Sequence, residues 1–181
     1  MAKKPPEKIF LAGFMGVGKT TVGSVLAQKI GAQFCDLDAF IKARESASVD
    51  DIISLRGESE FRNLESEALA EVCEKSGFEV VATGGGIVLS DGNRAAMKQA
   101  GVVIYLKADF KTLMHRISQD APRPLLKVPS PEAKAAEIFS GRKHLYETAC
   151  FTVETDGLSP DRIAERVVGI LFPDGVSKNG E

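Results

Sequence analysis

Gly13-Phe14-Met15-Gly16-Val17-Gly18-Lys19-Thr20 decides the reading of this chain. It fits G-x-x-x-x-G-K-[ST], a loop that cradles nucleotide phosphates with backbone N–H groups. Four fixed positions should arise by chance in about one chain in a hundred of this length. The context sharpens the match. Lys8-Ile9-Phe10-Leu11-Ala12 before the loop is a short apolar run, as a buried parallel strand requires. After it, Val22, Val25, Leu26 and Ile30 recur at helical spacing. Strand, loop and helix therefore stand in the order that aims a helix N-terminus at an anion. In such a loop Gly13, Met15, Gly16, Val17, Gly18, Lys19, Thr20 and Thr21 surround the phosphates of ATP. Lys19 reaches the β- and γ-phosphates, and the Thr20 hydroxyl ligates Mg²⁺.

The 181 residues suit one domain with a real core, and 44% apolar with 27% charged residues is ordinary for a globular protein. A net charge of −2 supplies no basic field for nucleic acid or an anionic membrane. No apolar run approaches the ~18 residues of a membrane span, and no secretory leader is expected. Cys35, Cys73 and Cys150 are too widely spaced for a disulfide framework or a zinc knuckle, so each is expected to be a buried small hydrophobe in a reducing cytoplasm.

Downstream, strand and helix patterns alternate. A very short strand at 33–35 leads into Asp36-Leu37-Asp38. Acids at the carboxyl end of a strand beside a phosphate loop face the ligand crevice of an open α/β sheet. Asp38 has a second reading, as N-cap of a segment over 39–44. Helices are expected over 48–56, with Ser48 as N-cap, and over 58–74, where Phe61, Leu64, Ala68, Leu69 and Val72 share a face. Arg62 and Glu65 are neighbours on the latter, a spacing most often seen in plain surface ion pairs. A strand over 77–82 runs into Thr83-Gly84-Gly85-Gly86, where a backbone must approach a ligand closely or merely turn. A helix over 91–100, a strand over 102–106 and a helix over 109–118 follow. Residues 119–131 hold four prolines and no period, a lid candidate. A helix over 132–149, a strand over 151–154 and a helix over 159–172 close the pattern, with Ser159 as N-cap and Pro160 in the first helical position. The alternation predicts an α/β fold with three α/β/α layers around a parallel sheet and right-handed crossovers.

Five further motifs carry a resemblance: Asp36-x-Asp38, Phe61-Arg62-x-x-Glu65, Gly84-Gly85-Gly86, Arg123-Pro124-Leu125-Leu126 and Arg142-x-x-Leu145-Tyr146. In order and rough spacing the chain, over about 9–171, resembles the shikimate kinase family. The resemblance implies a five-stranded P-loop kinase domain spanning 1–181. It also implies a substrate-binding segment at about 36–62, a lid at about 119–127 and a flexible tail at 173–181. It implies ATP-dependent phosphorylation of the 3-hydroxyl of shikimate, with ATP and shikimate as partners, Mg²⁺ as the metal, no nucleic acid or membrane, and a monomer.

By the same resemblance Arg62, Arg142 and the glycine triplet would hold the carboxylate, with an N–H from Gly85. Asp38 would hold ring hydroxyls and take the proton of the attacking one, and Glu65 would orient Arg62 or a hydroxyl. Lys19 and Arg123 would neutralise the transferring phosphoryl. Asp36 would join Thr20 on the metal side through water, and Arg116 would pack on adenine. Gluconate and nucleoside-monophosphate kinases are the nearest alternatives. One departure stands out. Lys42 occupies a position where many relatives carry a glutamate near the substrate arginine, so either Lys42 points to water or a different acid, Glu45 or Glu65, holds Arg62. His115 and His144 read as surface residues.

Overall fold

A computed structural model describes residues 7–119 and 124–175. Five strands form one parallel sheet: β1 (Lys8–Ala12), β2 (Gln33–Asp36), β3 (Glu79–Ala82), β4 (Val102–Lys107) and β5 (Phe151–Glu154), in the order β2-β3-β1-β4-β5. Among the described residues eight α-helices surround it: α1 (Lys19–Ile30), α2 (Leu37–Glu45), α3 (Val49–Arg56), α4 (Glu58–Glu74), α5 (Asp91–Ala100), α6 (Phe110–Gln119), α7 (Pro131–Tyr146) and α8 (Pro160–Leu171). The expected three-layer α/β/α architecture is present.

Strand order explains the layers. The connection from β1 to β2 steps one way along the sheet, whereas those from β2 to β3, β3 to β4 and β4 to β5 step the other way. With right-handed crossovers, opposite steps put helices on opposite faces. Thus α1 packs with α8 on one face, and α4 packs with α5 on the other. Strand β1, flanked by β3 and β4, is the centre of the core, and Ile9, Phe10 and Leu11 have no exposed surface. The turn-around point of the strand order lies at its carboxyl end, where open α/β sheets bind ligands.

Local chemistry sets the boundaries. Gly18 caps α1 at φ 97°, a conformation that a side chain would resist. Ser48 and Asp51 form a reciprocal capping box on α3. Ser159 caps α8 with Pro160 in its first turn, as the sequence predicts. At α2 the second reading of Asp38, as a cap, does not hold. The cap is Asp36, whose Oδ1 accepts from the Ala39 N–H at 3.0 Å, and the helix starts at Leu37. Asp38 therefore lies in the first helical turn and is not a cap.

The cysteines also differ from expectation. Cys35 and Cys73 are half-buried, and burial pushes the Cys35 thiol up to about 11. Cys150 is exposed, just before β5 at the edge of the sheet. His115 and His144 are exposed, as predicted. No helix among the described residues is long and apolar enough to cross a membrane.

At the amino end of the sheet, opposite the crevice, Lys8 and Glu79 are register partners on β1 and β3. The Lys8 Nζ donates to Glu79 Oε2 at 2.9 Å, and Lys8 is 2% exposed. Removing one member of a buried pair leaves the other charge uncompensated. Lys8→Met should therefore cost about 3–5 kcal/mol in urea unfolding. Adding Glu79→Leu should recover most of that loss, and activity per folded molecule should stay at the wild-type level in the double variant.

Candidate active site

Three segments converge at the carboxyl ends of β1, β2 and β3. The first is the phosphate loop. Lys19 Nζ lies across it, donating to the carbonyls of Gly13 at 2.8 Å and Phe14 at 3.1 Å. Arg116, on α6, donates from Nη1 to the Val17 carbonyl at 3.2 Å, so it braces the loop from outside. Val17 is buried, Met15 half-buried, and Thr20 and Thr21 exposed at the start of α1.

The second segment is the exit of β2. Thr20 Oγ1 donates to Asp36 Oδ2 at 2.6 Å. One carboxylate thus caps α2 with one oxygen and meets the loop threonine with the other. Among the described residues no three His, Cys, Asp or Glu side chains gather into a metal cluster. A pair of hard oxygen donors beside a phosphate loop suits a cation that takes one or two protein ligands and keeps phosphate and water for the rest.

The third segment is the glycine triplet after β3, and each glycine faces a different group. A Cβ on Gly84 would collide with Glu65 Oε1 and stand 3.1 Å from Asp38 Oδ1. A Cβ on Gly85 would lie 3.5 Å from the Met15 nitrogen, against the phosphate loop. A Cβ on Gly86 would overlap the Arg62 guanidinium. The absence of side chains at Gly84 and Gly86 is what lets Glu65 and the Arg62 guanidinium lie against this segment.

Arg62 reaches that pocket from α4. Its Nη1 donates to Glu65 Oε2 and its Nη2 to Glu58 Oε1, the latter at 2.8 Å. Burial lowers the affinity of this guanidinium for its proton, but Glu65 and Glu58 outweigh it and hold the group above its ordinary value. Burial pushes the Glu65 carboxyl up, against the opposing pull of Arg62 and with help from the nearby Asp38 charge. The Lys42 question resolves here. Lys42 is exposed, Glu45 pairs with Arg44 and Arg56, and Glu65 together with Glu58 holds Arg62. Glu58 was not singled out from sequence, although its i, i+4 spacing to Arg62 is the available signal.

Arg142 comes from α7, is buried, and donates from Nη1 to the Gly85 carbonyl at 3.3 Å. Lys19, Thr20, Asp36, Asp38, Arg62, Glu65, Arg142 and the triplet are thus one constellation. Arg123 lies outside the described residues, as do residues 120–122 of the segment expected to form a lid. Of the rest of that segment, Pro124–Leu126 is a 3-10 turn, and Lys127 donates to Asp50 of α3 at 2.6 Å.

A family model described as shikimate kinase matches residues 15–171. The chain belongs to the shikimate kinase family. It is 40% identical to the shikimate kinase of Thermodesulfovibrio yellowstonii over 162 residues, covering 90% of this chain and 93% of the relative. A solved shikimate kinase from Acinetobacter baumannii, in complex with shikimate, superposes with a TM-score of 0.89 at 35% identity, covering 95% of this chain and 96% of that one. A gluconokinase from Sinorhizobium meliloti superposes with a TM-score of 0.55 at 17% identity, over 95% and 99% of the two chains. That likeness shows the shared fold alone. As a shikimate kinase family member the chain is an ATP-binding phosphotransferase, a class whose chemistry uses a divalent metal.

The Glu65 carboxyl gives a pH test. A buried acid whose folded value is raised binds its proton more readily in the fold than in the unfolded chain. Stability is then highest below the ordinary value of 4.5 and falls as pH rises through the raised one. Wild type should lose stability relative to Glu65→Gln as pH climbs above 4.5 in urea unfolding. Parallel curves for the two proteins would contradict the assignment.

Proposed function

We propose that this kinase transfers the γ-phosphoryl group of ATP to the 3-hydroxyl of shikimate, giving shikimate 3-phosphate and ADP, a step of aromatic amino-acid biosynthesis through chorismate. The observation that carries this reading is that Arg62 and Arg142, on different helices, flank a glycine triplet that abuts the phosphate loop. Two guanidinium forks beside one backbone segment suit a planar carboxylate. The adjoining loop puts a phosphoryl donor next to that anion's ring. The Glu65 Oε1 atom is buried with no hydrogen-bond partner in the protein, which suits a hydroxyl donor from the ligand.

In this reading Asp38 accepts the proton of the attacking hydroxyl. Glu65 holds Arg62, and Gly84, Gly85 and Gly86 let the ring approach the backbone. Lys19 neutralises charge on the transferring phosphoryl, with Arg123 supplied by a lid at about 119–127. Gly13, Met15, Gly16, Val17, Gly18, Thr20 and Thr21 surround the ATP phosphates, and Arg116 lies on the adenine side. Thr20 and Asp36 would hold Mg²⁺, which supplies further positive charge at the β- and γ-oxygens. The chain acts as one domain, with a substrate-binding segment at about 36–62 and a tail at 173–181. A monomer belongs to the same reading. Three free thiols support a reducing cytoplasm, and the net charge of −2 gives no footing for nucleic acid or membrane. A gluconate or nucleoside-monophosphate kinase would share the fold; family membership favours shikimate.

The clamp makes three predictions. Arg62→Ala and Arg142→Ala should each weaken shikimate binding by about 2–5 kcal/mol in calorimetry, with ATP affinity unchanged. Wild type should discriminate against a shikimate analogue whose carboxylate is an amide, and Arg62→Ala should lose that discrimination. Gly86→Ala should weaken shikimate binding at least tenfold while changing the melting temperature little, because what its methyl group displaces is the movable end of Arg62. Wild-type shikimate affinity in all three variants would assign these groups elsewhere.

A further inference from the structure

Resting on the carboxylate-clamp reading, we infer that Tyr146 is a positioning residue for substrate binding, acting through the Gly85 carbonyl. Tyr146 ends α7, one turn after Arg142, and is 1% exposed. Its hydroxyl donates to the Gly85 carbonyl, the same oxygen that receives Arg142 Nη1. That oxygen therefore has both lone pairs engaged by one helix.

The consequence is geometric. A trans peptide is planar, with its C=O and N–H pointing in opposite directions. Fixing the Gly85 carbonyl toward α7 fixes the Gly86 N–H away from it, and with it the backbone against which the Arg62 guanidinium lies. The phenol thus holds the backbone at Gly85, the residue whose N–H is assigned to the carboxylate, and shares its acceptor with the Arg142 side chain. It is itself rigidly held. The ring stacks on Tyr105 with centroids 5.3 Å apart, and Tyr105 is paired in register with Ala12, the residue that enters the phosphate loop. Burial pushes the phenol up to about 12, so it remains a neutral donor throughout the working range of the enzyme. The chain of contact runs from β4 through two stacked rings to the glycine triplet, and it ties the acceptor pocket to the strand beside the loop.

Tyr146→Phe keeps the ring, its volume and the stack, and removes only the hydroxyl. It should raise KM for shikimate about tenfold, leave KM for ATP within twofold, and lower kcat no more than threefold. A merely structural role would lower the melting temperature and move both KM values together. Replacing Tyr146 with p-aminophenylalanine restores a donor at the same place and should return KM for shikimate to within threefold of wild type. That variant also serves if Tyr146→Phe does not fold. An unchanged KM for shikimate in Tyr146→Phe, or no rescue by the amino analogue, overturns the inference. Arg142→Ala separates the two levels. If it raises KM for shikimate while Tyr146→Phe does not, the clamp stands and the role of Tyr146 falls. If neither changes it, the clamp reading falls and takes this inference with it.

Discussion

Everything at the ligand end of this molecule depends on three consecutive residues without a Cβ. Gly84, Gly85 and Gly86 leave β3 between β1 and β2, so the backbone there borders both the phosphate loop and the acidic exit of β2. Side chains at Gly84 and Gly86 would fill the volume now occupied by Glu65 and by the Arg62 guanidinium. Sheet order and glycine content are two halves of one arrangement. The order brings three strand ends together, and the glycines keep the space between them free for charge.

The charges are distributed so that they hold one another unequally. Arg62 is gripped by buried Glu65 and by Glu58, whose side chain is 45% exposed. An exposed ion pair contributes about 0–1 kcal/mol, whereas a buried partner is costly to strip. A carboxylate bound as proposed would therefore compete with Glu58 and not with Glu65. The guanidinium can turn one edge to the ligand while the other edge stays fixed, which a lysine ammonium could not do with the same geometry. Arg142 is anchored differently, by a neutral carbonyl, so its charge is not cancelled by a protein acid in the same contact. One arginine is oriented by acids and the other by backbone.

What was legible in the sequence was what local chemistry decides. The phosphate loop, the capping serines and the alternation of strands and helices each follow from residues within a few positions of one another. The resemblance then supplied the long-range grouping of Asp38, Arg62 and Arg142. Contacts set by tertiary placement were not legible. Asp36 and Asp38 look equivalent as a D-x-D, and only the direction in which the chain leaves β2 makes the first the cap. Lys42 looked like an intruder beside Arg62, but it is solvated, and Glu58, one turn before Arg62, helps fill the acid's place. Cys150 reads as apolar until β5 proves to be an edge strand. Tyr146 sat in a quoted motif without a role, since its partner is a carbonyl 61 residues away.

The two ends of the sheet divide stability from chemistry. At the amino end Lys8 and Glu79 neutralise each other across register-paired strands. At the carboxyl end Arg62 Nε and Glu65 Oε1 are buried with no hydrogen-bond partner in the protein. Unsatisfied buried polar atoms cost stability, about 1–3 kcal/mol each. Such a cost persists in a folded protein when something else in its working cycle supplies the missing partners. A ligand bearing both an anion and several hydroxyls would supply them, and its binding free energy would include the relief of that strain. On this argument the site is tuned to its substrate partly by what the protein leaves unmade.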